Sequence, residues 1–431
     1  MEHYRDPNDP RFHGETDSAS IQNAVNALTD GIRTVRIPRE NLRTGKSCWE
    51  IDKAILLPSD CTVILDGCHL ILKEGIYDNI FRNENLYASQ TEQHGIRILG
   101  RNGAVLDGGA GNDLRESNSR RDGRPHIRFN NFILLHNVRD YVLEGFSCHN
   151  MRWWAINQIA CRHGIVRNIR FWNGNHIPNQ DGIDVRIGSS DILIENISGR
   201  CGDDVVALTA LPLGGDRLLL PEGRENAIHD VTVRNVSGNT MQTVAALRAC
   251  DGARLYNIRL ENISDCGGEY APWGIVRIGE NNYYKEHPAL PGEIRNITVD
   301  GVRSLARGTV YLGASLTDSS IRNVSAEGTS MYAISTYCPV RTLEENGCTI
   351  SGGVTMENVH FENIRYTGTA GWCDDDLIND PTEPFSGCAL DFRCMHEDDT
   401  LTNVTFRNVT SREGAPKLLG KSGLLPDIDA E

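Results

Sequence analysis

A short phrase recurs along most of the chain: Asn or Asp, apolar, any, apolar, any, then Asn or Gly. It reads Asn168-Ile-Arg-Phe-Trp-Asn173, Asp191-Ile-Leu-Ile-Glu-Asn196, Asp230-Val-Thr-Val-Arg-Asn235, Asn257-Ile-Arg-Leu-Glu-Asn262, Asn296-Ile-Thr-Val-Asp-Gly301, Asn358-Val-His-Phe-Glu-Asn363 and Asn403-Val-Thr-Phe-Arg-Asn408. Each phrase alternates as a strand does, with side chains pointing to opposite faces in turn. Its second Asn returns after 23 residues (173 to 196) and after 27 (235 to 262). Periods of that size belong to repeat architectures. Between the phrases lies a second alternating run, as in Gly182-Ile-Asp-Val-Arg-Ile, Thr243-Val-Ala-Ala-Leu-Arg and Gly274-Ile-Val-Arg-Ile-Gly. Two or three short strands per coil, separated by turn formers, give a right-handed parallel β-helix, an all-β solenoid. A propeller would need about 40 residues per blade and a Trp-Asp signature that the chain lacks.

A solenoid grows in one dimension, so 431 residues fit one domain, expected over 1–413. Ile21, Ala24, Val25 and Leu28 lie on one helical face after Thr16-Asp17-Ser18. A short N-terminal helix capped by Asp17 or Ser18 is expected to close the open end of the core. From Gly414 to Glu431 the period is lost, and a tail is expected over 414–431. Gly108 to His126 and Leu211 to Asn226 read as loops over a binding face.

A net charge of −15 argues against nucleic acid and anionic membranes as partners. It leaves an acidic sugar open: all but six of the 43 basic residues are Arg, the side chain suited to gripping a carboxylate. The chain as it stands shows neither a membrane-spanning run nor a basic-then-apolar leader. A cytoplasmic location is therefore expected, or a secreted one if a leader has been cut away. Thirteen cysteines without a CxxC pair read as reduced residues in a long interior. The Asn-x-Ser/Thr triplets at Asn196, Asn235, Asn262, Asn296, Asn323, Asn403 and Asn408 sit at the repeated turn position and read as stacked turn formers.

Two acidic phrases interrupt this scaffold: Asn179-Gln-Asp181-Gly-Ile-Asp184 and, one coil later, Gly202-Asp203-Asp204-Val205. If Ile183 and Val206 fill equivalent inward slots, Asp181 stacks under Asp204 with Asp203 displaced to one side by a bulge at Gly202. Two acids then hold and deprotonate a water while Asp203 protonates the leaving oxygen, the division of labour of an inverting glycosidase. Neighbouring anions are expected to favour the protonated form of Asp203. Neither metal nor cofactor is called for. Asp184, on the outer face, is expected to support the site or simply be solvated.

The chain resembles the polygalacturonase family, glycoside hydrolase family 28. The resemblance rests on Asp17-Ser-Ala-Ser-Ile-Gln-Asn-Ala, Val105-Leu-Asp-Gly-Gly109, Trp154-x-Ile156 and the two acidic phrases. It implies a pectin-type poly- or oligosaccharide substrate, Asp203 as general acid, Asp181 and Asp204 as water activators, and sugar contacts from Asn179 and Trp154. Two family features are missing. No His stands near Met241 to Thr243, and the family's Arg-Ile-Lys is here Arg277-Ile278-Gly279. Arg248, Arg277 or Arg186 is expected to replace the Lys as carboxylate ligand, and His176 the absent His. Exo action on short oligosaccharides would suit a cytoplasmic enzyme. The alternatives are a polysaccharide lyase on the same fold, with clustered Asp holding Ca²⁺, and a catalytically silent carbohydrate-binding β-helix. Oligomeric state is left open.

Overall fold

The computed structural model describes residues 4–110, 130–173, 179–211, 219–267, 272, 274–281, 287–336, 354–369, 387–392, 395 and 398–420. The fold is the expected right-handed parallel β-helix. Contacts divide the chain into two compact units: Met1–Asp203 with Leu218–Glu225, and Asp204–Arg217 with Asn226–Glu431. Among the described residues no helix is long and apolar enough to cross a membrane.

In the first unit one ladder of short strands runs through Ile55–Leu57, Phe81–Asn83, Ile133–His136, Ile156–Ile159 and Ile183–Arg186, all parallel. Longer strands form the companion ladder, among them Val138–Glu144, Arg162–Trp172 and Ser189–Arg200. The cap is the helix Asp17–Asn26, but its N-cap is Thr16, whose hydroxyl accepts from the Ala19 N–H at 3.2 Å. Asp17 and Ser18 turn instead to the first coils: Asp17 pairs with Arg43 and accepts the Glu50 N–H, and Ser18 accepts the Asp52 N–H. Leu219, from the insertion expected as a loop over the binding face, is buried against Leu134, Ile159 and Ala160. Residues 111–129 and 212–218 of the two insertions lie outside the described residues.

The second unit repeats the plan. Its inward rows are continuous: Val233, Leu260, Val299, Ile321, Phe361 and Phe406 stack in register, as do Val236, Ile263, Val302, Val324, Ile364 and Val409. Burying each such side chain is worth roughly 1.5–3 kcal/mol, so an Asp at Ile263 would break the coil. Phe361 and Phe406 lie face to face, 4.9 Å between centroids. The strand Leu418–Gly420 pairs with Cys388–Phe392, so regular structure continues past residue 413 into the stretch expected as a tail; residues 421–431 lie outside the described ones.

The turn Asn residues do what their spacing suggested. Asn196, Asn235, Asn262, Asn323, Asn363 and Asn408 all have φ between 51° and 57°, left-handed values that Asn tolerates. Their amides bond coil to coil: Asn262 donates to Asn235 at 3.1 Å, Asn363 to Asn323 at 2.9 Å and Asn408 to Asn363 at 2.8 Å. One register expectation is corrected. Arg167 pairs with Glu195 and Ile169 with Ile197, so Asn196 lies over Asn168, 28 residues back, and not over Asn173. Asn173 lies beyond that turn, where its Oδ1 accepts the Met151 N–H. Of the nine described cysteines, seven are buried and none is in a disulfide; burial pushes the Cys61 and Cys161 thiols up to about 12.

Candidate active site

In the first unit Asp181 directly precedes the short strand Ile183–Arg186 and is 4 % exposed. Its carbonyl accepts the Ala155 N–H at 2.9 Å, and register places Trp154 one coil below it. Asn179 has φ 67°, a left-handed turn that Asn adopts without the strain of a branched side chain. Through that turn its N–H points at the carboxylate of Asp203 and donates to Oδ2 at 2.7 Å. The N–H groups of Gly202 and Asp203 both donate to the Gln180 carbonyl, at 3.1 and 3.3 Å. Two consecutive donors on one acceptor break the strand alternation, which is the irregularity expected at Gly202. Gln180 is fixed in turn by its amide, which donates to the Met151 carbonyl at 2.6 Å.

The result is a close pair of acids within this unit. An oxygen of the half-buried Asp203 carboxylate lies within 4.8 Å of one on Asp181. Two ionised carboxylates at that separation repel by roughly 3–4 kcal/mol at an effective dielectric of about 20. Such a pair suits proton transfer, in which one member holds the proton its neighbour lacks.

In the second unit Asp204 is 1 % exposed and meets Arg248, whose Nη2 lies 2.5 Å from Oδ2. Arg248 Nε donates to Oε2 of Glu280 at 2.6 Å, and Arg277 donates to Oε1 of the same carboxylate. Burial works to raise the Glu280 carboxyl, but Arg277 and Arg248 outweigh it and hold the group below the usual carboxylate range. Two of the three arginines expected to grip a sugar carboxylate, Arg248 and Arg277, therefore carry a protein carboxylate. Glu280 was not anticipated. The acid three residues after Arg277 is visible in the sequence, but nothing local shows that it also meets Arg248, 32 residues away.

The missing Lys has a steric account. Gly279 has φ 80°, and a Cβ there would lie 2.1 Å from Cβ of Ala314 in the next coil. Only glycine fits that turn. The Val105-Leu-Asp-Gly-Gly109 phrase is similarly constrained: a Cβ on Gly108 would strike the Asn150 carbonyl, and the Gly108 carbonyl accepts from Arg152 Nε and Nη2 at 2.9 and 2.6 Å. Burial lowers the Arg152 guanidinium to about 10.

Trp154 is 9 % exposed, packed against Trp153 and Tyr77, with the Arg186 guanidinium 4.6 Å over its ring. That ring face is taken by the Arg186 cation. Asp184, expected on the outer face, is buried at 1 % and lies in register with Asn157. His176 lies outside the described residues.

The model of Glycosyl hydrolases family 28 matches residues 43–212, a span that holds Asp181, Asp203 and Asp204. Over that span the chain is similar to the family. It is 23 % identical over 378 residues to an exopolygalacturonase of Zea mays, covering 83 % of this chain and 82 % of the relative. Among solved structures, the family 28 exopolygalacturonase of Yersinia enterocolitica superposes with TM-score 0.60 at 16 % identity, covering 99 % of this chain and 79 % of that one. The endo-xylogalacturonan hydrolase of Aspergillus tubingensis gives 0.58 at 13 % identity, covering 100 % and 99 %. These two likenesses show the fold.

Proposed function

We propose that the enzyme hydrolyses galacturonic-acid-containing pectic chains through Asp181, Asp203 and Asp204, with Asp203 protonating the glycosidic oxygen and the other two holding the attacking water. The observation that carries this reading is the closeness of the Asp203 carboxylate to that of Asp181, with the Asn179 N–H fixing its orientation. Asp203 is the most exposed of the three, which suits the member that must meet a leaving group. Inversion is part of the proposal because the water attacks the anomeric carbon directly, with no carboxylate acting as nucleophile. The separation is shorter than the about 6.5–9.5 Å typical of inverting pairs and near the about 5–5.5 Å of retaining ones, so the anomer of the product is a direct test.

The mode is proposed to be exo, on short oligosaccharides, in keeping with the exopolygalacturonase relative. Arg248 and Arg277 are left out of the sugar-binding set because each already holds Glu280. The experiment is reducing-end release from galacturonan, xylogalacturonan and rhamnogalacturonan oligosaccharides, by the wild type and Asp203→Asn, with chelator present. Product lengths and the proton spectrum of the first-formed anomer are read alongside. Turnover that survives chelator, is lost in the variant and yields monomer with inverted configuration is the expected result. Turnover unaffected by the substitution would sink the mechanism; an unsaturated product would mark a lyase, and binding without turnover a silent β-helix.

A further inference from the structure

We propose that Glu280 is a positioning residue for Asp204, acting through Arg248; the proposal rests on Asp204 being one of the acids that hold water. Register sets Arg248 over Thr209, five residues along the coil from Asp204. The guanidinium must therefore reach back along the strand, and a long flexible side chain has many other places to go. Two observations show what holds it. Gly279, which only glycine can fill, turns the chain directly after the strand Gly274–Ile278, and Glu280 then takes the Arg248 Nε. Arg277 occupies the other oxygen of the same carboxylate and so fixes its plane. With Nε tied to Glu280, the Nη2 edge of Arg248 is the part left facing Asp204, at 2.5 Å.

The four groups alternate in sign, from Asp204 through Arg248 and Glu280 to Arg277, and all four are largely buried. Buried ion pairs are weak contributors to stability and are often replaced by apolar residues without loss. Holding a reacting carboxylate in one orientation is a use that apolar replacements cannot serve, and a misplacement of about 1 Å at such a group costs about 10²-fold in rate.

The test compares Glu280→Ala and Glu280→Gln with the wild type on one oligosaccharide, together with the crystal structure of Glu280→Ala. Expected are a fall in kcat of about ten- to a hundredfold in the Ala variant with KM within about threefold, and partial recovery in the Gln variant, which keeps an oxygen for Arg248 Nε. In the crystal Arg248 should leave Asp204. Unchanged kcat, a loss confined to KM, or Arg248 still seated on Asp204 in the Ala variant would overturn the proposal. If the wild type cleaves none of the oligosaccharides, the functional reading fails by itself, and the crystal still decides whether Glu280 holds Arg248 in place.

Discussion

Asp203 and Asp204 are neighbours in the chain yet are held in different ways. Asp203 is held by main chain: the Asn179 N–H meets its carboxylate, and the Gln180 carbonyl gathers the two N–H groups at the bend. Asp204 is held by side chains, through an ion chain that runs from Arg248 to Glu280 and Arg277. A main-chain donor carries no charge to lose and is removed by no substitution except proline. A charge chain is sensitive to pH and to every residue in it. On the mechanism proposed above, the proton donor relies on rigid turn geometry, whereas the water-holding acid relies on electrostatics.

The largest effect expected on this contrast is at Asp203 itself. Asp203→Asn keeps an acceptor for the Asn179 N–H but has no acidic proton to give, so kcat should fall by about 10²–10⁴ with the thermal midpoint nearly unchanged. Next, Arg248→Met would leave Asp204 and Glu280 as buried charges without that partner. Equilibrium unfolding should show a loss of about 3–5 kcal/mol, while the same measurement on Asp203→Asn should show little. A small loss for Arg248→Met would mean that the ion chain is not what fixes Asp204.

Acid sharpens the comparison further. Glu280 has its folded value depressed below the ordinary 4.5, so its stabilisation is fully present above 4.5 and is lost as pH falls through the folded value. The thermal midpoint of the wild type, followed from neutral pH down to about 3, should drop more steeply than that of Glu280→Gln. Parallel curves would remove Glu280 from the account. The smallest effect is expected away from the site: Asn363→Ala places a Cβ-bearing residue without a polar side chain at φ 56° and removes two side-chain hydrogen bonds of the ladder. It should cost about 1–2 kcal/mol, with Asn363→Gly costing less and kcat unaffected in both.

Much of this was legible beforehand. The alternating phrases gave the strands, and the Asn at their ends gave the left-handed turns, because both preferences are set within a few residues. Register was less legible. Asn168 and Asn173 stand at the two ends of one phrase, and alternation of period two cannot say which of them meets Asn196. The cap was misplaced by one or two residues because Asp17 and Ser18 found partners 33 and 34 residues away. At the site, the carboxylates were legible since two of them are adjacent and the third lies in a neighbouring motif. The cations were not: Arg186 went to the Trp154 ring, and Arg248 and Arg277 went to Glu280.

The sequence by itself determined the repeat, the inward apolar rows, the turn formers and the three acids, all of which depend on short-range spacing and on the intrinsic conformations of Asn and Gly. Only the tertiary structure decided which charges meet. A guanidinium chooses its partner across coils, and that choice depends on the length of every intervening turn and on one glycine, Gly279, that lets the chain swing Glu280 onto Arg248.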